Sequence, residues 1–78
     1  MPTVSQQVIE NIGERLEELE RSIAWLARQI GMEPHKLRRR MKGEVQFTAD
    51  EVTAIARALG MSREELMSRP SASVGSRR

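Results

Sequence analysis

Apolar residues recur at spacings of three and four along most of this sequence, which places them on one face of an α-helix. The first such stripe predicts a helix over roughly residues 4–20, and Gly13 within it is consistent with close packing against a neighbour. The second stripe lies between Ser22, a favourable N-cap residue, and Gly31, a residue suited to helix ends. No segment alternates apolar and polar residues with a period of two, so we predict no β-strand.

Two further helices are marked by the residues at their ends. Pro34 suits the first position of a helix and Gly43 suits the position after one, so a third helix is predicted between them. Thr48 and Glu51 have the spacing of a capping box, in which each side chain accepts a hydrogen bond from the other residue's backbone N–H. The stripe that follows predicts a fourth helix ending before Gly60.

A second capping box, Ser62 with Glu65, predicts a short fifth helix. Its apolar residues are Leu66 and Met67. Beyond this helix the chain is small, polar and basic. We therefore predict one all-α domain, residues 1–68, followed by a disordered basic tail, residues 69–78.

Charge is distributed unevenly along the chain. The formal net charge is only +2, but residues 1–20 hold five acids and one base, whereas residues 21–43 hold seven bases and one acid. A positive centre beside an acidic first helix indicates a local surface for a polyanion.

The composition argues against an enzyme and against a membrane protein. The chain has no Cys, no Tyr and one His, and it contains no Gly-rich phosphate loop and no recognisable pair of catalytic carboxylates. No apolar run approaches the roughly 18 residues of a membrane span. We therefore predict no catalytic residue, no metal site, no cofactor, no small-molecule ligand and no membrane partner.

The third predicted helix has an apolar face and a cationic face. Leu37 and Met41 lie four residues apart and share the inward face, whereas His35, Arg39 and Lys42 fall on the opposite side. Five of the thirteen Lys and Arg residues lie in this segment, and the predicted helix itself contains no acid at i,i+4 spacing to pair with them. A contact with the DNA major groove is therefore favoured over a merely solvated face.

Three residues allow two interpretations each. His35 is either an exposed residue without a role or a contact to a base edge or a phosphate. Trp25 is expected to pack between helices rather than to stack on DNA. Glu33 either caps the third helix by accepting backbone N–H bonds or accepts a hydrogen bond from a cytosine amino group, and we favour capping.

Several short motifs between Ile23 and Leu66 have the spacing of a known family. They are Leu26-Ala27 followed by Ile30-Gly31, then Leu37, Gly43 and the run Ile55-Ala56-Arg57-Ala58-Leu59-Gly60. In these motifs the chain resembles the phage repressor and Cro (XRE-type) helix-turn-helix family. The run from Met41 to Thr48 is similar to versions found in actinobacteria and their phages.

This resemblance implies a compact five-helix, lambda-repressor-like helix-turn-helix domain that places its third helix in the DNA major groove. It also implies a homodimer on DNA, in which Leu66 and Met67 of the fifth helix either form the dimer surface or close the core of the monomer. The length of the chain is more similar to a Cro-type protein than to a full repressor. The residues expected to contact DNA are Glu33, Pro34, His35, Lys36, Arg38, Arg39 and Lys42.

We therefore predict a sequence-specific transcriptional regulator that binds a double-stranded DNA operator and acts at the nucleoid in the cytoplasm of a host bacterium. The alternative is a helix-turn-helix antitoxin or antirepressor that acts mainly by binding another protein. The salt dependence of DNA binding distinguishes the two.

Overall fold

The computed structural model describes residues 4–68, which form five α-helices joined by short loops. The helices are α1 (Val4–Leu19), α2 (Ile23–Ile30), α3 (Pro34–Met41), α4 (Ala49–Leu59) and α5 (Arg63–Met67). This part of the chain contains no strand, so the predicted all-α fold is confirmed. None of these helices has the length and apolar character needed to cross a membrane. The predicted tail, residues 69–78, lies outside the described residues.

Local side-chain chemistry explains where the helices begin. The hydroxyl of Ser22 caps α2 by accepting a hydrogen bond from a backbone N–H of its first turn. Both predicted capping boxes are present: Thr48 and Glu51 exchange hydrogen bonds of 3.1 and 2.9 Å. Ser62 and Glu65 exchange bonds of 3.0 and 2.8 Å. These bonds satisfy backbone donors that have no partner inside the helix.

The predictions for two glycines at helix ends are confirmed, whereas the prediction for the glycine inside α1 is not. Gly31 and Gly60 adopt left-handed φ values of 73° and 72°, which confirms them as helix terminators. Gly13 lies in the interior of α1, where a Cβ atom would meet nothing within 4 Å. The close packing considered for Gly13 is therefore wrong, and the residue only weakens the helix.

One apolar face of each helix contributes to a single core. α1 packs against α4 and α5, and α2 packs against α3 and α4. The buried apolar residues are Val8, Ile12, Leu16, Leu26, Ala27, Leu37, Val52, Ile55, Ala56, Leu59 and Leu66. Because Leu66 is fully buried within the chain, it completes the monomer core, whereas the neighbouring Met67 is exposed.

Two polar side chains of α1 bind the C-terminal ends of other helices, and the sequence analysis identified neither. The buried Asn11 donates through Nδ2 to the carbonyl oxygens of Leu66, at 2.6 Å, and Ser68, at 2.5 Å. Arg15 donates through Nε to the carbonyl oxygen of Leu59 at 3.0 Å, in the last turn of α4. Both contacts satisfy carbonyl groups that the helices themselves leave free, and the cation of Arg15 also complements the helix dipole.

Candidate nucleic-acid interface

α2 and α3 form a helix-turn-helix unit joined by a short turn, residues 31–33. The turn begins at Gly31, whose left-handed backbone redirects the chain so that α3 packs on α2. Leu37 is fully buried and fixes α3 to the core, while Met41 is partly buried at the edge of that core. The predicted inward face of the third helix is therefore confirmed.

All seven residues expected to contact DNA are exposed and lie on α3 or at its two ends. They are Glu33, Pro34, His35, Lys36, Arg38, Arg39 and Lys42. Four of the seven are Lys or Arg, so the exposed surface of α3 is predominantly cationic. We call this surface, defined by these seven residues, the α3 face.

Arg40 is the one cation between Lys36 and Lys42 that does not belong to the α3 face. Its Nε donates to Oε1 of Glu51 at 3.0 Å, and the two side chains are only 18% and 20% exposed. Its Nη1 also donates to the carbonyl oxygen of Lys36 at 3.1 Å. Glu51 begins α4 as part of its capping box, so Arg40 joins α3 to the start of α4.

Arg39 points the other way and forms an exposed ion pair. Its Nε lies 3.3 Å from Oε1 of Glu44, with side-chain exposures of 60% and 52%. The pair follows from the backbone: Gly43 adopts φ 83°, and the N–H of Glu44 donates to the carbonyl oxygen of Arg39 at 3.0 Å. The argument that the cations of this segment lack acidic partners is therefore wrong for Arg39 and Arg40, because their partners lie outside the helix.

Glu33 occupies the N-cap position of α3 but does not cap it with its side chain. Its backbone is extended, and its carboxylate makes no capping hydrogen bond. Instead its Oε1 lies 3.5 Å from Nε2 of His35, and both side chains are about two-thirds exposed, at 65% and 67%. The preferred interpretation, capping by the carboxylate, is wrong. No three His, Asp or Glu side chains among residues 4–68 are grouped so that they could hold a metal ion.

Trp25 packs at the edge of the core, as expected, and also binds a cation. It is partly buried against the core cluster. The guanidinium carbon of Arg21 lies 5.2 Å from the ring centroid, within the range of a cation–π interaction. Arg21 is thereby held beside the start of α2.

Comparison with known proteins agrees with this architecture. The family model described as a helix-turn-helix domain matches residues 11–67. The fold is similar to the crystal structure of a hypothetical transcription factor, NHTF, from Neisseria, with a TM-score of 0.85 and 18% sequence identity. That alignment covers 92% of this chain and 83% of the other. No curated protein is a significant match to the sequence. The chain belongs to the helix-turn-helix domain family.

Proposed function

We propose that this protein is a transcriptional regulator that binds a double-stranded DNA operator in a sequence-specific manner. The observation that carries the proposal is the orientation of α3: Leu37 is fully buried, and the cationic side chains on the other side of the helix are exposed. A helix fits the width of the major groove, where its side chains reach both base edges and flanking phosphates.

We assign different roles to the cations of the α3 face. Arg39 lies at the centre of that face with its side chain 60% exposed, and an Arg can bind the O6 and N7 atoms of guanine with two hydrogen bonds. Arg38 and Lys42 lie to one side and at the end of the helix, where the groove walls bring phosphates close. We therefore propose base recognition by Arg39 and backbone contacts by Arg38 and Lys42.

The acidic residues of α1 restrict how DNA can approach. The exposed acids of this helix and its end are Glu10, Glu14, Glu17, Glu18 and Glu20. α1 packs on α4 and α5, whereas α3 packs on α2. A polyanion is therefore attracted by the α3 face and repelled by the acidic surface of α1, which favours one orientation of the complex.

We further propose that two copies bind one palindromic operator, in the manner of a phage Cro protein at the bacterial nucleoid. α3 has eight residues, so one copy contacts only a few base pairs, and one such contact is too weak to select a site in a genome. Met67 is the large apolar side chain that α5 leaves exposed, since Leu66 is buried. A dimer interface built on Met67 of α5 is small, and it is weak without DNA to hold both copies. The free protein is therefore largely monomeric at low concentration.

Selection from randomised duplexes of about two helical turns tests the proposal, followed by titrations of the selected duplex at several salt concentrations. We expect the logarithm of the affinity to fall with the logarithm of salt concentration, by about 0.9 for each phosphate neutralised. Arg39→Ala should lose most of the preference for the selected sequence, and Arg63→Ala, which removes the same charge from α5, should not. Failure to enrich any sequence would refute the proposal, and affinity unaffected by salt would favour the protein-binding alternative.

A further inference from the structure

The end of α3 differs from the ends of the other long helices in one respect. α1, α2, α3 and α4 all end in a turn where a backbone N–H donates to the carbonyl oxygen five residues earlier. This turn places the side chains of the two bonded residues close together. The bonded residues are Arg21 and Leu16 at α1, Met32 and Ala27 at α2, and Met61 and Ala56 at α4, and none of these pairs joins opposite charges. At α3 they are Glu44 and Arg39, which carry opposite charges.

The ion pair at the end of α3 occupies one particular donor of Arg39. Glu44 accepts from Nε, and the structure gives the two terminal amino groups of Arg39 no protein partner among residues 4–68. The terminal amino groups together form a donor edge that matches O6 and N7 of guanine. Glu44 thus occupies the donor edge of Arg39 that includes Nε, and the edge formed by the two terminal amino groups stays available for guanine.

We infer that Glu44 determines the specificity of Arg39 for guanine, an inference that rests on the proposed function of the α3 face. Glu44 fixes the direction of the guanidinium group and leaves only its terminal edge for DNA. Its carboxylate also repels phosphate oxygens, so Arg39 is held away from the backbone and directed to a base edge. The pair contributes little to stability, because both of its side chains are more than half exposed to solvent.

The test compares two variants that remove one negative charge each. Glu44→Gln alters the proposed positioning residue, and Glu10→Gln makes the same charge change on the exposed surface of α1. Each is titrated against the duplex selected by the wild-type protein. Each is also titrated against the same duplex in which adenine replaces one guanine, the guanine for which Arg39→Ala loses the preference. We expect Glu44→Gln to reduce the preference for guanine by about fivefold, and Glu10→Gln to leave it unchanged. In an Arg39→Ala background, Glu44→Gln should have no effect on this preference.

Two results of the titrations would overturn the inference. If Glu44→Gln and Glu10→Gln strengthen binding to both duplexes equally, Glu44 acts only through net charge. If the effect of Glu44→Gln persists in the Arg39→Ala background, Glu44 does not act through Arg39.

An NMR measurement on the free protein separates the ion pair from DNA binding. The Nε–H proton of Arg39 should exchange with solvent more slowly in the wild type than in Glu44→Ala, which removes the acceptor, and equal rates would overturn the inference. A wild-type protein that shows this protection but selects no DNA sequence would refute the proposed function itself, and with it the role of Glu44 on DNA.

Discussion

Replacing Arg40 with Ala should destabilise the protein without changing which DNA sequence it prefers. Arg40 joins α3 to the start of α4 through Glu51, and both side chains are about four-fifths buried. An exposed ion pair contributes about 0–1 kcal/mol, and removing one partner of a fully buried pair costs about 3–5 kcal/mol. The Arg40–Glu51 pair is intermediate in burial, so we expect Arg40→Ala to lower the free energy of unfolding by about 2 kcal/mol.

A loss of this size is easily measured in so small a domain. At about 0.05–0.15 kcal/mol per residue, a chain of 78 residues has a free energy of unfolding of about 4–12 kcal/mol. The midpoint of thermal unfolding should fall by roughly 8–16 °C, because each kcal/mol moves it by about 4–8 °C in domains of this size. Circular dichroism at 222 nm, a wavelength that reports helix content, follows the transition without DNA.

The matched control is the adjacent residue of the same type. Arg39→Ala removes an ion pair whose side chains are 60% and 52% exposed, so it should change the stability by less than about 1 kcal/mol. The two variants should therefore have opposite effects. Arg39→Ala should lose sequence preference and keep its stability. Arg40→Ala should lose stability and, at a temperature where it is folded, keep its sequence preference. Equal melting of Arg40→Ala and wild type would refute this reasoning.

A double-mutant cycle assigns the loss to the contact with Glu51. Glu51→Gln keeps an oxygen that can accept from the N–H of Thr48, so the capping box can persist while the charge is removed. We expect Arg40→Ala and Glu51→Gln to couple by about 1–2 kcal/mol. Coupling near zero would show that Arg40 does not stabilise the fold through the charge of Glu51, which leaves its packing and its hydrogen bond to Lys36.

Four further substitutions test other parts of the structure. Gly13→Ala should stabilise α1 by about 0.5–1 kcal/mol in denaturant titrations, since a Cβ there meets no atom within 4 Å; destabilisation would reveal a hidden contact. Glu20→Gly should stabilise by a similar amount in the same assay, because Glu20 has a left-handed φ of 57°, and a loss of stability would contradict this. Asn11→Ala should cost about 1–3 kcal/mol by leaving buried carbonyl groups unpaired, and a variant as stable as wild type would dismiss that role. Lys42→Ala should lower the salt slope of DNA binding by about one without altering sequence preference, and an unchanged slope would remove Lys42 from the interface.

The helix boundaries and the orientation of α3 were predictable because they depend on residues close in sequence. A capping box joins positions three apart, as in Thr48 and Glu51, and the inward side of α3 follows from Leu37 and Met41 four apart. Glu33 shows where local reasoning failed. A carboxylate favours a helix N-terminus, but Glu is not among the preferred N-cap residues, and this side chain lies nearer to His35.

The tertiary role of Arg40 could not be predicted from helical spacing. Its partner Glu51 lies 11 residues away in the next helix, so the pair depends on how α3 and α4 meet. The sequence analysis left Arg40 out of the expected DNA contacts but gave it no partner. The contact between Asn11 and Leu66 joins residues 55 apart, and only the folded chain brings them together.

The contact between Asn11 of α1 and the end of α5 has a consequence for folding during synthesis. Synthesis proceeds from the N-terminus, so α1 leaves the ribosome before the helices against which it packs. Its apolar residues Val8, Ile12 and Leu16 stay exposed until α4 and α5 follow, and Asn11 finds its carbonyl partners only after Leu66 is added. The contacts among α2, α3 and α4 close much shorter loops, which cost less entropy and form sooner. Until α4 and α5 have been added, the apolar stripe of α1 therefore lacks the helices against which it packs.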